Sequence, residues 1–159
     1  MRQVPSALDP DLDQVVGYVL KQAATVLRTR MEDVLRPLGL TVPQYVCLEL
    51  LARRPGASNA ELARGAFVTR QSMNGVLRGL QDRGLLVRPD DAPHGRARPS
   101  ELTTEGVERL HEASTVVSGV EQQMLGGLDD DARRGLRDQL VSCLEALTAA
   151  PGRRTLDGP

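Results

Sequence analysis

Between Thr69 and Gly84 the chain reads TRQSMNGVLRGLQDRG, and its apolar residues Met73, Val76, Leu77 and Leu80 recur at intervals of three and four. That period gathers them into one stripe on an α-helix, whereas a strand would send neighbours to alternate faces. A helix of about fourteen residues is roughly 20 Å long. Thr69 stands where it can cap the first turn, and Gly84 where the last turn ends. The opposite side carries Arg70, Gln71, Ser72, Asn74 and Arg78. Just upstream, Ser58-Asn-Ala-Glu61 has the spacing of a capping box and starts a short helix through Leu62 and Ala63 to about Ala66. The linker Ala66-Phe67-Val68 is short enough to set the second helix steeply against the first, as a helix-turn-helix requires.

The rest of the chain reads as support for this unit. Helical spacing runs from Asp11 through Leu12, Val15, Val16, Val19, Leu20, Ala23, Leu27, Met31, Val34 and Leu35, about seven turns ended by Pro37 and Gly39. Asp9, Asp11 and Asp13 stand where they complement the positive end of that helix. Thr41-Val-Pro-Gln44 is a second capping box, opening a helix through Tyr45, Leu48 and Leu51 that Pro55-Gly56 stops. After Gly84 the period changes: Leu85 to Val87 reads as a strand, Pro89 to Gly95 as a turn, and Arg96 to Leu102 as an antiparallel return in which Pro99 removes a ladder donor. A two-stranded ribbon with arginines near its tip is a wing. Thr103 begins a long helix with Val107, Leu110, Val117 and Val120 on one side. Asp129-Asp-Asp131 begins a last one, with Leu136, Leu140, Cys143, Leu144 and Leu147 at heptad-like spacing. The expectation is a mainly α chain in one domain over residues 1–159.

Charge distribution says what the polar face is for. The net charge of −1 conceals a basic middle: from Arg53 to Arg98 nine Arg stand against Glu61, Asp82, Asp90 and Asp91, a net +5, so the remainder carries −6. A basic module in an acidic scaffold is the footprint of a double-stranded nucleic-acid partner. Gln71, Ser72 and Asn74 suit base edges, Thr69, Arg70 and Arg78 suit phosphate or guanine, and Ser58 and Asn59 begin a helix whose N–H groups can meet phosphate. Arg96 and Arg98 on the wing suit a narrow minor groove. No nucleophile motif, glycine-rich phosphate loop or cofactor box is present, and two distant histidines, His94 and His111, make no metal site. The reading is therefore a regulator and not an enzyme, with no cofactor. No apolar stretch is long enough to cross a bilayer and no basic-apolar leader precedes Asp13, so a soluble, cytoplasmic protein is expected. Cys47 and Cys143 lie in apolar helical patterns and read as buried small hydrophobes, yet they are the only candidates for redox sensing.

The order of these elements resembles the MarR family of bacterial transcriptional regulators over roughly Asp11 to Leu147. The resemblance rests on Leu40-Thr-Val-Pro-Gln-Tyr45, Asn59-Ala-Glu-Leu-Ala63, Leu80-Gln-Asp-Arg-Gly-Leu-Leu-Val-Arg88, and Gly95-Arg96 followed by Leu102-Thr-Thr-Glu-Gly106. It implies a homodimer, paired through helices at 11–38 and 103–150, around a winged helix-turn-helix lobe at 41–102. It also implies a repressor on a pseudo-palindromic operator, released by a small aromatic or lipophilic effector. Arg96 would enter the minor groove. The effector pocket would lie between dimerisation helices and lobe, with Tyr18, Tyr45, Phe67 and His111 as lining candidates. Where the family often has Asp two residues before the wing arginine this chain has His94, so that ion pair is missing. The alternatives are a redox regulator acting through Cys47 or Cys143 and a winged-helix adaptor for protein contacts.

Overall fold

The computed structural model describes residues 12–88 and 99–149, which hold six α-helices and one two-stranded sheet. The chain divides into two compact units, Met1–Glu121 and Gln122–Pro159.

In the first unit a 3-10 turn, Leu12–Gln14, precedes α1 (Val16–Leu35). The helix begins later than the apolar spacing predicts. Val15 takes the cap position in an extended conformation and its side chain has no oxygen to accept the free N–H groups. No acidic residue lies in the first turn of α1; Asp9, Asp11 and the Asp13 side chain fall outside the described residues. Only the far end of α1 joins the core, through Leu35 with Met31 and Val34 beside it. Upstream, Val16, Tyr18, Val19, Leu20 and Val26 are exposed.

Pro37 turns the chain into a single 3-10 turn, Arg36–Leu38, and Gly39 takes a left-handed φ of 66° so that the Leu40 N–H can bond the Leu35 carbonyl at 3.2 Å. α2 (Val42–Arg53) opens with the expected capping box, Thr41 and Gln44 each accepting the other's backbone N–H. α3 (Asn59–Gly65) opens with the same device from Ser58 and Glu61. α4 (Arg70–Asp82) is capped by Thr69, whose side chain accepts the Ser72 N–H at 3.0 Å. Met73, Leu77 and Leu80 of α4 are fully buried against Leu48 of α2, Leu62 of α3 and Leu35 of α1. Burying side chains of this size contributes about 1.5–3 kcal/mol each, so the polar face of α4 is fixed by its apolar one.

β1 (Leu86–Val87) pairs antiparallel with β2 (Glu101–Leu102), Leu86 opposite Leu102 and Val87 opposite Glu101. The described ladder is shorter than the sequence predicts. Pro99, without an N–H, stands just before β2, and residues 89–98, where the sequence predicts the tip of the wing, lie outside the described residues. β2 leads into α5 (Thr104–Met124). The Thr103 hydroxyl accepts the Gly106 N–H at 3.0 Å and donates to the Gly84 carbonyl at 2.6 Å, while the Thr103 N–H reaches the Leu85 carbonyl at 3.2 Å. Gly106 is obligatory there: a Cβ on it would lie 1.9 Å from the Leu85 oxygen.

The second unit holds α6 (Asp130–Thr148), whose N-cap Asp129 accepts the Ala132 N–H at 2.8 Å, with Asp130 and Asp131 in the first turn. None of its described residues is buried, and Leu136, Leu140, Val141, Leu144 and Leu147 form an uncovered row. Cys143, expected to be buried, is exposed. Helical periodicity placed it beside an apolar stripe, but no layer covers that stripe among the described residues of this unit.

Candidate nucleic-acid interface

Thr69, the N-cap of α4, and Arg70, Gln71, Ser72, Asn74 and Arg78 on the helix are all exposed. Gln71, Asn74 and Arg78 follow one another at three- and four-residue steps and so share a face. Gly75 lies among them with open space where a side chain would stand, which keeps the centre of the face low. Thr69 donates its hydroxyl to Ser72 Oγ at 2.9 Å, so the Ser72 hydroxyl is held in place with its own proton still to give. Arg70 and Arg78 form no hydrogen bond or ion pair among the described residues.

Ser58 is exposed and its hydroxyl is engaged with Glu61. The Glu61 carboxyl is held below its usual range by hydrogen bonds from the Ser58 hydroxyl and backbone. Asn59 is half-buried and donates from Nδ2 to Oδ1 of Asn74, joining the start of α3 to the middle of α4. Sequence reasoning named both asparagines but missed their bond, because two residues fifteen positions apart across a turn leave no periodic signal.

The basic middle is less available than its charge suggests. The Arg53 Nε is 3.0 Å from Glu49 Oε2. Arg83 turns back to donate to the carbonyls of Gly39 and Leu38, and Arg109 of α5 donates to the same Leu38 carbonyl at 3.1 Å. The Arg88 Nε donates to Ser100 Oγ at 3.3 Å. These arginines hold the lobe together. Arg96, Arg98 and His94 lie outside the described residues.

Behind the interface, Glu49 of α2 accepts from the Tyr45 hydroxyl at 3.1 Å and from Ser114 Oγ of α5 at 2.7 Å, besides Arg53. Burial opposes its ionisation, but the bonds from Ser114, Arg53 and Tyr45 outweigh that and leave its carboxyl below the usual value. Burial pushes the Tyr45 phenol upward. Neither Glu49 nor Ser114 was legible in the sequence as part of a network.

The four residues named for an effector pocket lie on different elements. Tyr18 lines an open groove of about 720 Å³ whose other walls are Val19, Lys21, Gln22, Ala23, Thr25 and Val26, all on α1. Tyr45 is buried in the network just described, and His111 is exposed on α5. Phe67 lies in the turn between α3 and α4, 91% exposed and with a left-handed φ of 56°. Such a conformation costs an L-residue about 1–2 kcal/mol; here it is the corner that redirects the chain into α4. Cys47 is fully buried, and burial pushes its thiol up to about 12 despite the opposing charge of Arg88. A sensing thiolate needs the opposite shift. Among the described residues no helix is long and apolar enough to cross a membrane.

Comparison with known proteins gives this geometry a context. A model of the MarR family matches residues 38–97. The chain is 41% identical over 128 residues to the HTH-type transcriptional repressor Rv2887 of Mycobacterium tuberculosis, covering 80% of this chain and 92% of that protein. The crystal structure of the M. tuberculosis MarR-family protein Rv2887 in complex with salicylic acid matches at 41% identity with a TM-score of 0.68, covering 80% of this chain and 95% of that one. The same protein in complex with DNA matches at 39% identity with a TM-score of 0.67, covering 80% and 96%.

Proposed function

Because the chain belongs to the MarR family of transcriptional regulators, we propose that it is a cytoplasmic, homodimeric repressor that reads a pseudo-palindromic operator with α4 and leaves it on binding a small aromatic acid. The observation that carries this reading is the division of α4 into two faces. Met73, Leu77 and Leu80 are locked in the core, while Arg70, Gln71, Asn74 and Arg78 are exposed on a low surface. Side chains of these types present the donors and acceptors that major-groove edges and phosphates complement.

Two copies pair through residues 11–38 and 103–150, which supply the uncovered apolar rows of α1 and α6. The lobe at 41–102 of each copy then meets the duplex, with the two α4 helices about one DNA turn, ~34 Å, apart. Ser58 and Asn59 approach phosphate at the start of α3, and Arg96 and Arg98 flank the site from the wing. The repressor role and the aromatic effector are supported by the relative that is a repressor and by its complexes with DNA and with salicylic acid. An effector shifts binding only by its difference in affinity for the free and bound states. This is a binding function without catalysis.

The test is a salt titration of binding to the chain's own upstream DNA by fluorescence anisotropy, with and without salicylate. Specific binding by a dimer, weakened by salicylate, is expected. Arg70→Ala and Arg78→Ala should each reduce the salt slope by about one for a phosphate contact. No preference for upstream over scrambled duplex at low salt overturns the reading and favours a protein-contact role.

A further inference from the structure

Phe67 stands at the corner between α3 and α4 with two liabilities at once. Its ring is 91% exposed, and its φ of 56° lies in the left-handed region, which glycine occupies freely and a bulky side chain resists. The corner itself does not need a ring. Backbone bonds hold it, the Phe67 N–H donating to the Arg64 carbonyl at 3.3 Å and the Val68 N–H to the Ala63 carbonyl at 3.0 Å, while Ala66 and Val68 on either side pack against the core. Among the described residues nothing covers the ring that stands between them. A single exposed aromatic needs no explanation by itself. One that also sits on a strained backbone points to a contact outside the chain.

Two features of the surroundings choose the occupant. Arg64 lies three residues before Phe67 and Arg70 three after, and both are exposed, so the ring has a basic setting that suits a polyanion better than the apolar face of another protein. The corner also leads directly into the N-terminal end of α4, the end that a helix-turn-helix brings to base edges. In the major groove the apolar group that a base edge presents is the thymine 5-methyl. We propose that Phe67 is a specificity-determining residue whose ring packs on a thymine methyl beside the bases that α4 meets. This proposal rests on the DNA-binding reading above and adds to it a contact that carries no charge.

The test measures anisotropy on the upstream operator with each thymine replaced in turn by uracil, which removes only the methyl group. Wild type is compared with Phe67→Gly and Phe67→Asn, since glycine and asparagine both tolerate the left-handed corner. Wild type should lose about fourfold in affinity at one thymine of each half-site, the scale of one buried methyl-sized group. Both variants should bind the thymine operator more weakly than wild type does and should no longer distinguish thymine from uracil at that position. Their salt slopes should match that of wild type, because no phosphate contact is lost. The melting temperature of Phe67→Asn should not fall, because the ring leaves no gap and the strain is eased. A fall would place the ring against another part of this chain, and dissociation of the dimer in sedimentation would place it against the second copy; either overturns the proposal. So does the absence of any uracil effect in wild type, or a uracil effect that persists in both variants wherever wild type shows one. Failure of wild type to prefer the operator over scrambled duplex would instead overturn the DNA-binding reading itself.

Discussion

Glu49 accepts three hydrogen bonds, two from Tyr45 and Arg53 within α2 and one from Ser114 of α5, and its lowered pKa makes it a source of acid sensitivity. Because the folded state holds the carboxylate more readily ionised than the usual 4.5, the unfolded chain binds more protons in that range. The stabilisation is complete above the ordinary value and is lost as pH falls through the lowered one. Glu49→Gln should cost about 1–2 kcal/mol at pH 7, the scale of charge-assisted bonds replaced by neutral ones. The gap to wild type should narrow in urea melts below pH 4, and a gap constant from pH 7 to pH 3 would contradict it. At this scale the sequence was legible wherever one residue's neighbours in the chain decide its place. Cys47, between Val46 and Leu48, was read as buried and is buried. Glu49 escaped because Ser114 is sixty-five positions away. Phe67 escaped because backbone conformation in a turn, and not aromatic character, decides where its ring goes.

Among the elements, capping chemistry carried most of the legible information. Thr41 with Gln44, Ser58 with Glu61, Thr69 and Asp129 all start helices as their local spacing predicts. The first helix misled because apolar spacing persists through Leu12 and Val15, although Val15 offers no cap. The junction of wing and α5 was invisible, since it depends on a carbonyl from one element meeting a glycine from another. Gly106→Ala forces the Leu85 backbone oxygen away from a Cβ at 1.9 Å and strains the bonds that Thr103 makes to Gly84 and Leu85. The expected loss is about 3 kcal/mol or more, in line with backbone clashes and overpacking in close-packed interiors. Chemical denaturation measures it directly, and a loss below about 1 kcal/mol would show that the junction can yield.

For the molecule as a whole, the apolar rows of α1 and α6 are the largest debt left by a single chain. Leu140 and Leu144 lie one turn apart on α6, both exposed. Glutamate at both positions should convert the proposed dimer to a monomer in sedimentation, and operator affinity should fall by more than tenfold as two half-sites cease to be read together. An unchanged sedimentation coefficient would place the pairing surface elsewhere. The heptad-like spacing of α6 was legible, but the spacing alone does not say what covers it, which in the proposed dimer would be a second copy. One arrangement inside the first unit links that scale to the groove. The Leu38 oxygen takes hydrogen bonds from Arg109 on α5 and from Arg83 at the end of α4. A single atom thus ties Arg109 on α5, the helix proposed to lead toward the partner, to the end of α4, the helix proposed to read bases. In the proposed dimer, a twist of α5 would act on α4 through that shared oxygen.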